Sequence, residues 1–414
     1  MTIYIKPSKV KGVILAPSSK SYIQRAIAVA LCSQGTCTIN GYTKNNDNET
    51  ALEIAKELGA SILVRKNKLI IDGITPSKKQ VAINCNEAGL SARMFAPVAS
   101  LLYKKVTING SGSLLNRPFY MVEDALTALG KTVKSNGGNL PLEITGSFKN
   151  KEITIDGSET SQLLTGLLIT LPQLKFNSVV LVSNLKSTPY IDMTIDVLRK
   201  FGVVISNQDY KTFLIDGNQR IKPTKYTAEG DWSGAAFILV AAAIKGNVLV
   251  NGLYKNSLQA DSKIVEVLNL CGANVHFTKK GIYVSKNKLK AFEFDCTNCP
   301  DLFPVLAALA INCNGTSKIS GTNRLINKES NRANSIKTEL KKLGVAIKVT
   351  NNCMTIEGTK VIGGSCFAHN DHRIAMMLAI IGLNSKNGIT IKDYECVSKS
   401  YPLFFNDLAS ITGM

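Results

Sequence analysis

Aromatic residues are scarce, 7% of 414 positions, and Trp232 is the single tryptophan. A chain that binds nucleic acid by stacking on bases interleaves rings with cations. Here the rings do not cluster near the lysine runs, so a basic RNA-binding or RNA-processing protein is disfavoured. Acidic residues are also in deficit, 30 against 49 Lys plus Arg, which leaves a net charge of +19. Anionic partners are the natural expectation, and phosphate-bearing metabolites satisfy it. Long apolar runs are missing: Ala235 to Ile244 and Leu302 to Ile311 reach about half of the roughly 20 residues that cross a bilayer. Residues Met1 to Gly12 alternate like a strand and lack the apolar block of a signal peptide. The expectation is a cytoplasmic protein with no membrane partner. Ten cysteines include one CxxC pair, Cys296 and Cys299, with no second pair near it. That spacing builds neither a zinc framework nor a disulfide scaffold, so reduced, mostly buried thiols and no metal are expected.

What the chain does have is a repeat. A helical stretch ending in an apolar residue plus Gly, followed by a short apolar strand, occurs at Leu58-Gly59, Leu129-Gly130, Phe201-Gly202, Cys271-Gly272 and Leu343-Gly344, and a sixth copy falls at Gly413. The spacing stays near 70 residues, and a sixth of the chain is 69. A second marker, a strand-like run ending in Gly, recurs at Gly41, Gly110, Gly252 and Gly321, with Ser183 and Asp393 at the two remaining places. The period exceeds the roughly 20 to 50 residues of a solenoid, so each unit is read as a small α/β module with two helices. One kind is the Gly-terminated helix, as in Phe119 to Leu129. The other is more apolar, as in Ser21 to Cys32, where Ile23, Ala26, Ile27, Ala30 and Leu31 form a helical stripe. Three modules per lobe predict two similar lobes, with Lys222 to Tyr226 as the linker candidate.

The apolar helices open with Ser18-Ser19-Lys20-Ser21, Glu87-Ala88-Gly89-Leu90-Ser91, Thr160-Ser161-Gln162, Asp231-Trp232-Ser233, Cys299-Pro300-Asp301 and Asn370-Asp371-His372-Arg373. Helix N-termini carry unpaired N–H groups and partial positive charge, so several converging make an anion site. Simple capping by Ser, Thr and Asp explains any one of them without a ligand. Arginine usage separates the two readings. Only nine of the 49 cations are Arg, and Arg25, Arg93, Arg117, Arg332 and Arg373 all lie near helix starts, where a planar fork grips carboxylate or phosphate. Asn327 to Arg332 leads into a further helix, and spacing predicts Lys328 and Arg332 on one side with Glu329 between them.

These residues resemble the 3-phosphoshikimate 1-carboxyvinyltransferase (EPSP synthase) family, of the enolpyruvyl transferases, along nearly the whole chain. Pro17-Ser-Ser-Lys-Ser-Tyr-Ile-Gln-Arg25, Ala88-Gly89 with Arg93, Arg117-Pro118, Thr160-Ser161-Gln162, Pro189-Tyr-Ile-Asp192, Gly230-Asp231, Pro300-Asp301, Lys328-Glu329 with Arg332, Asn370-Asp-His-Arg373 and Lys399 follow the family's order and spacing. The resemblance implies an inside-out α/β barrel fold. Its discontinuous lobe one is residues 1–14 plus 227–414, its lobe two is 15–226, and the active site lies in the cleft between them. It implies transfer of the enolpyruvyl group of phosphoenolpyruvate to the 5-hydroxyl of 3-phosphoshikimate, by a monomer, with no metal or organic cofactor.

Roles follow from the same resemblance. Ser21, Arg25, Thr160, Ser161, Ser187 and Tyr190 would hold 3-phosphoshikimate, with Lys20, Gln162, Asp301 and Lys328 reaching it. Arg117, Arg332, Arg373 and Lys399 would grip phosphoenolpyruvate, with Lys20, Gly89 and Gln162 beside it. Asp301, Glu329 and Lys20 would carry the catalysis. Glu87, Thr160, Asn331 and Arg324 depart from the family's usual residues, and only Arg324 puts a substrate contact in doubt. The nearest rival, the transferase acting on UDP-N-acetylglucosamine, carries a reactive Cys in the loop before its Arg-Pro pair. Here that loop, Asn109 to Arg117, has none. A dinucleotide-binding dehydrogenase is set aside because Gly110-Ser-Gly112 lacks a third glycine. His372 is read as orienting Asp371 and Arg373, while His276 and His369 carry no motif.

Overall fold

The computed structural model describes residues 1–74 and 79–413. Among them, helices come in pairs. The first three pairs are α1 (Lys20–Leu31) with α2 (Asn46–Glu57), α3 (Gly89–Leu102) with α4 (Tyr120–Ala128), and α5 (Gln162–Thr170) with α6 (Thr188–Lys200). The next three are α7 (Trp232–Lys245) with α8 (Ile264–Leu270), α9 (Phe303–Ile311) with α10 (Arg332–Lys342), and α11 (His372–Asn384) with α12 (Phe404–Thr412). Odd-numbered helices are apolar nearly all round. Every residue of α9 is buried, as is all of α7 from Trp232 to Ile244 except Ser233, which is the pattern of a helix enclosed by others. Accordingly α7, α9 and α11 pack on one another, and α3 packs against both α1 and α5.

Each helix pair belongs to one small sheet, six in all among the described residues, and one rule builds the five four-stranded ones. The first strand runs parallel to the second, the second antiparallel to the third, and the third antiparallel to the fourth. Two sheets borrow their first strand from elsewhere in the chain: Lys225–Thr227 lies parallel to Thr38–Asn40, and Val10–Leu15 lies parallel to Gly246–Asn251. In the three-stranded sheet, Gly364–Phe367 is parallel to Ile389–Lys392, and Thr2–Ile5 supplies the antiparallel neighbour.

The repeat has a backbone cause. Gly59, Gly130, Gly202, Gly272, Gly344 and Gly413 end the even-numbered helices with φ between +68° and +101°, a region that a Cβ disfavours. The strand-end marker needs one correction. Ser183 is the last residue of its strand, and the left-handed residue after it is Asn184 (φ +53°), matched by Asp393 (φ +63°) in the sixth copy. Asn and Asp tolerate that conformation better than other side chains.

The chain forms two compact units, Met1–Ser19 with Glu229–Met414, and Lys20–Ala228. The crossings therefore lie a few residues beyond the expected 14/15 and 226/227. Strand Val10–Leu15 belongs wholly to the first unit, where an antiparallel bridge from Ser18 to Gly230 holds the residues after it. Ala228 N–H donates to Asn40 O and so stays with the second. The expected linker is likewise partly a strand, since Lys225 and Tyr226 pair with Thr38 and Ile39. Among the described residues no helix is long and apolar enough to cross a membrane, and eight of the ten cysteines are buried.

The sheet junctions leave little room for side chains. A Cβ on Gly246 would sit 1.7 Å from Val10 O, whereas one on Gly344 would meet nothing within 4 Å. Gly344→Ala should cost about 1 kcal/mol, from its left-handed φ alone. Gly246→Ala should cost at least about 3 kcal/mol, because backbone must move. Urea unfolding midpoints compare the two, and equal losses would contradict this.

Candidate active site

In the unit spanning Lys20–Ala228, the candidate residues form one connected chain of contacts. Arg25, on α1, is 1% exposed. It donates to Thr194 Oγ1 (2.9 Å), Ser21 O (2.9 Å), Tyr190 O (3.2 Å) and Thr165 Oγ1 (3.4 Å), and lies over the Tyr190 ring. Thr165 Oγ1 in turn donates to Ser161 O at 3.3 Å. Next along α5, Gln162 accepts from Arg93 Nη1 at 3.1 Å through Oε1. Arg93 also donates to Pro118 O and stacks on Phe119. Arg117 donates to Ser113 Oγ at 3.3 Å. Gly89 opens α3 between these cations: a Cβ there would lie 2.8 Å from Arg117 Nη1 and 3.1 Å from Arg93 Nη1. Its role in this structure is to admit two guanidiniums.

Every hydrogen-bond acceptor just named is neutral, and Glu159 is the carboxylate that offsets part of the charge at Arg93. Burial lowers the pKa of Arg25 to about 10. It does the same at Arg93, where neighbouring Arg117 adds to the effect. Neither α3 nor α5 has a side-chain cap, and Ser187 stands before α6 at φ +58° without capping it. Thr160 Oγ1 accepts from Gln162 N–H at 3.2 Å. Glu87, a departure from the family pattern, accepts from Ser113 N–H at 2.8 Å and so fixes the turn leading to Arg117. Lys20 donates to Asp47 at 2.7 Å.

The second unit reverses the electrostatics. Arg332, fully buried on α10, donates through Nη1 to Asp301 (2.9 Å), through Nε to Asp371 (2.9 Å) and through Nη2 to Glu329. Arg373 Nη2 donates to the other Asp301 oxygen at 2.9 Å, and Lys328 Nζ lies 3.7 Å from Asp301. Burial alone would raise the Asp301 pKa. Arg373, Lys328 and Arg332 outweigh it and hold the carboxyl far below its ordinary range. Helix α9 takes no side-chain cap, so Asp301 serves these cations rather than the helix. Capping does account for Asp231, which accepts from Ser233 and Gly234 N–H, and partly for Asp371, which accepts from Arg373 N–H. Arg373 Nε and Nη1 are buried with no hydrogen-bond partner among the described residues. Lys399 donates to Asn370 O at 2.8 Å.

Two expectations change here. Lys328 and Glu329 precede α10, which Asn331 caps, so they reach the cluster from a turn and not from a helical face. The carboxylate among the cations is Asp301 more than Glu329. Arg373 is oriented by Asp301, and His372 Nδ1 lies 4.0 Å from Asp371. Reasoning from sequence also missed Asp47, Thr165, Thr194 and Asp261. Thr165 is a lone polar residue in the apolar run of α5, a signal open to reading; the others carry none. Asp261 is 1% exposed and accepts from Ser233 Oγ, while its Oδ1 has no partner among the described residues. Burial, then Asp301, raise its pKa to about 7 against the opposing pull of Arg373.

A six-repeat α/β chain with cations and carboxylates at the starts of its odd-numbered helices has the enolpyruvyl transferase fold. The enolpyruvyl transferase NikO from Streptomyces tendae superposes with TM-score 0.80 over 99% of this chain and 97% of that one, at 16% identity. An EPSP synthase from Acinetobacter baumannii superposes with TM-score 0.83 over 99% and 98%, at 26% identity. The family model for EPSP synthase (3-phosphoshikimate 1-carboxyvinyltransferase) matches residues 5–408. Proteins named 3-phosphoshikimate 1-carboxyvinyltransferase from Clostridium perfringens and Clostridium acetobutylicum are 38% and 37% identical, covering 100% and 99% of this chain and 98% and 97% of theirs. The chain belongs to the EPSP synthase family.

Asp261 gives a stability test with a definite sign. Below about pH 4 it is protonated folded and unfolded, and no penalty arises. Between pH 4 and 7 only the unfolded state ionises, and above 7 the native state bears the full cost. Asp261→Asn should therefore stabilise the protein at pH 8 by on the order of 2 to 4 kcal/mol, an advantage that vanishes near pH 4. Urea unfolding at both pH values checks it.

Proposed function

We infer that the chain transfers the enolpyruvyl group of phosphoenolpyruvate to the 5-hydroxyl of 3-phosphoshikimate and releases phosphate. The observation that carries this reading is the pair of part-exposed carboxylates, Asp301 and Glu329, fixed on the single buried guanidinium of Arg332. Acid–base work on a neutral hydroxyl and an alkene carbon needs two such groups held still.

In this reading Ser21, Arg25, Thr160, Ser161, Ser187 and Tyr190 bind 3-phosphoshikimate, reached also by Lys20, Gln162, Asp301 and Lys328. The uncancelled charge of Arg25 suits its phosphate. Phosphoenolpyruvate is gripped by Arg117, Arg373 and Lys399, with Lys20, Gly89 and Gln162 at its side. Arg373 has buried donors to offer it. Arg332 has carboxylates on each of its three nitrogens, so it contributes charge and orientation. Asp301, kept ionised by its cations, accepts the 5-hydroxyl proton as the oxygen adds to C2 of phosphoenolpyruvate. Glu329 delivers a proton to C3 and later removes one, which restores it, while the hydroxyl proton held by Asp301 passes to the departing phosphate, which restores Asp301. The family resemblance supports a monomer working in the cytoplasm.

Phosphate release should follow mixing with phosphoenolpyruvate and 3-phosphoshikimate, and not with UDP-N-acetylglucosamine as acceptor. Turnover only with the second acceptor would overturn the assignment. Glu329→Gln and Asp301→Asn should each lower kcat by about 100-fold or more, with 3-phosphoshikimate affinity changed only a few-fold. Steady-state kinetics and calorimetric titration separate the two quantities.

A further inference from the structure

Two consecutive residues before α11, His369 and Asn370, have φ of +56° and +50° although neither is glycine. Such backbone persists only where its surroundings over-determine it, and here the surroundings are identifiable. Glu339, fully buried on α10, accepts from Phe367 N–H at 3.0 Å and from His369 Nε2 at 2.7 Å, and Lys342 donates to it from the same helix. Asn370 N–H donates to Asp393 at 2.6 Å, and Asn370 O accepts from Lys399. Burial by itself would raise the Glu339 pKa. The donors Lys342, Phe367 N–H and His369 outweigh it and keep the carboxylate ionised.

The spacing along α10 gives these contacts a purpose. Arg332 and Glu339 are seven residues apart, two helical turns, and so lie on one face. Arg332 grips Asp371 while Glu339 grips Phe367 and His369. A single helix thus clamps both ends of the turn 367–371, and that turn sets the start of α11, where Arg373 stands, and the carbonyl that holds Lys399.

We propose that Glu339 and His369 are a positioning pair that fixes Arg373 and Lys399 relative to Arg332. This rests on the function inferred above, in which those cations bind phosphoenolpyruvate whereas 3-phosphoshikimate depends chiefly on residues of Lys20–Ala228. Loosening the turn should weaken one substrate and spare the other, a split that general destabilisation does not produce.

The test uses His369→Leu, His369→Gln and Glu339→Gln. His369→Leu, at a part-exposed position, removes the donor to Glu339 and should raise KM for phosphoenolpyruvate about tenfold. The dissociation constant for 3-phosphoshikimate alone should stay within twofold. His369→Gln supplies an N–H at the place of Nε2 and should restore most of the loss. Glu339→Gln should match or exceed His369→Leu; if it does not fold, the two His369 variants decide. An unchanged KM in folded His369→Leu, equal losses for both substrates, or no rescue by Gln would each overturn the proposal. Absence of turnover in the unmodified enzyme with these substrates would instead overturn the functional reading beneath it.

Discussion

Arg332 is the cation around which its unit is arranged. A fully buried guanidinium needs its donors met, and here carboxylates meet them. Those that do come from three places in the chain, Asp301, Glu329 and Asp371. Two of them have a second task. Asp371 caps α11, while Asp301 also takes Arg373 and lies close to Lys328. Removing any one partner would leave charge uncompensated in a low-dielectric setting and free an acid or a base to wander. Stability and the placement of the proposed acid and base are the same constraint here.

The other unit is organised by the opposite choice. Its guanidiniums rest on hydroxyls, carbonyls and an amide, which orient them and leave their charge for a ligand. The start of α3, which takes no side-chain cap, adds to that field. Such a surface is costly while empty, since Arg93 and Arg117 repel one another. An anion would relieve what folding has built up.

Much of the architecture could be read from the chain because the repeat is written in backbone requirements. Left-handed residues at helix ends need Gly, and those at Gly41, Asn184, Gly252, Gly321 and Asp393 need Gly, Asn or Asp, whereas Gly110 is set by close packing against Leu140 and Leu114, so the period shows directly. Motifs at the odd helix starts were legible for a similar reason: side chains there face their task from within a few residues of sequence. Partners supplied by packing were not. Thr194 reaches Arg25 from α6, Asp47 reaches Lys20 from α2, and Glu339 reaches His369 across 30 positions. His369 seemed featureless because its significance lies in a backbone angle and a distant carboxylate. The helical spacing assigned to Lys328 and Glu329 failed because Asn331 starts the helix after them.

The strands that open the chain have their partners in its second half. Thr2 pairs opposite Lys392, and Val10 opposite Gly246, whereas Lys20–Ala228 is a continuous stretch complete in itself. During synthesis the contiguous unit can therefore bury its core while the first nineteen residues wait, unpaired, for strands still to be translated. The order in which the ribosome delivers the chain is not the order in which its halves can mature, and the exposed leading strands need shielding from self-association until the last sheet is complete.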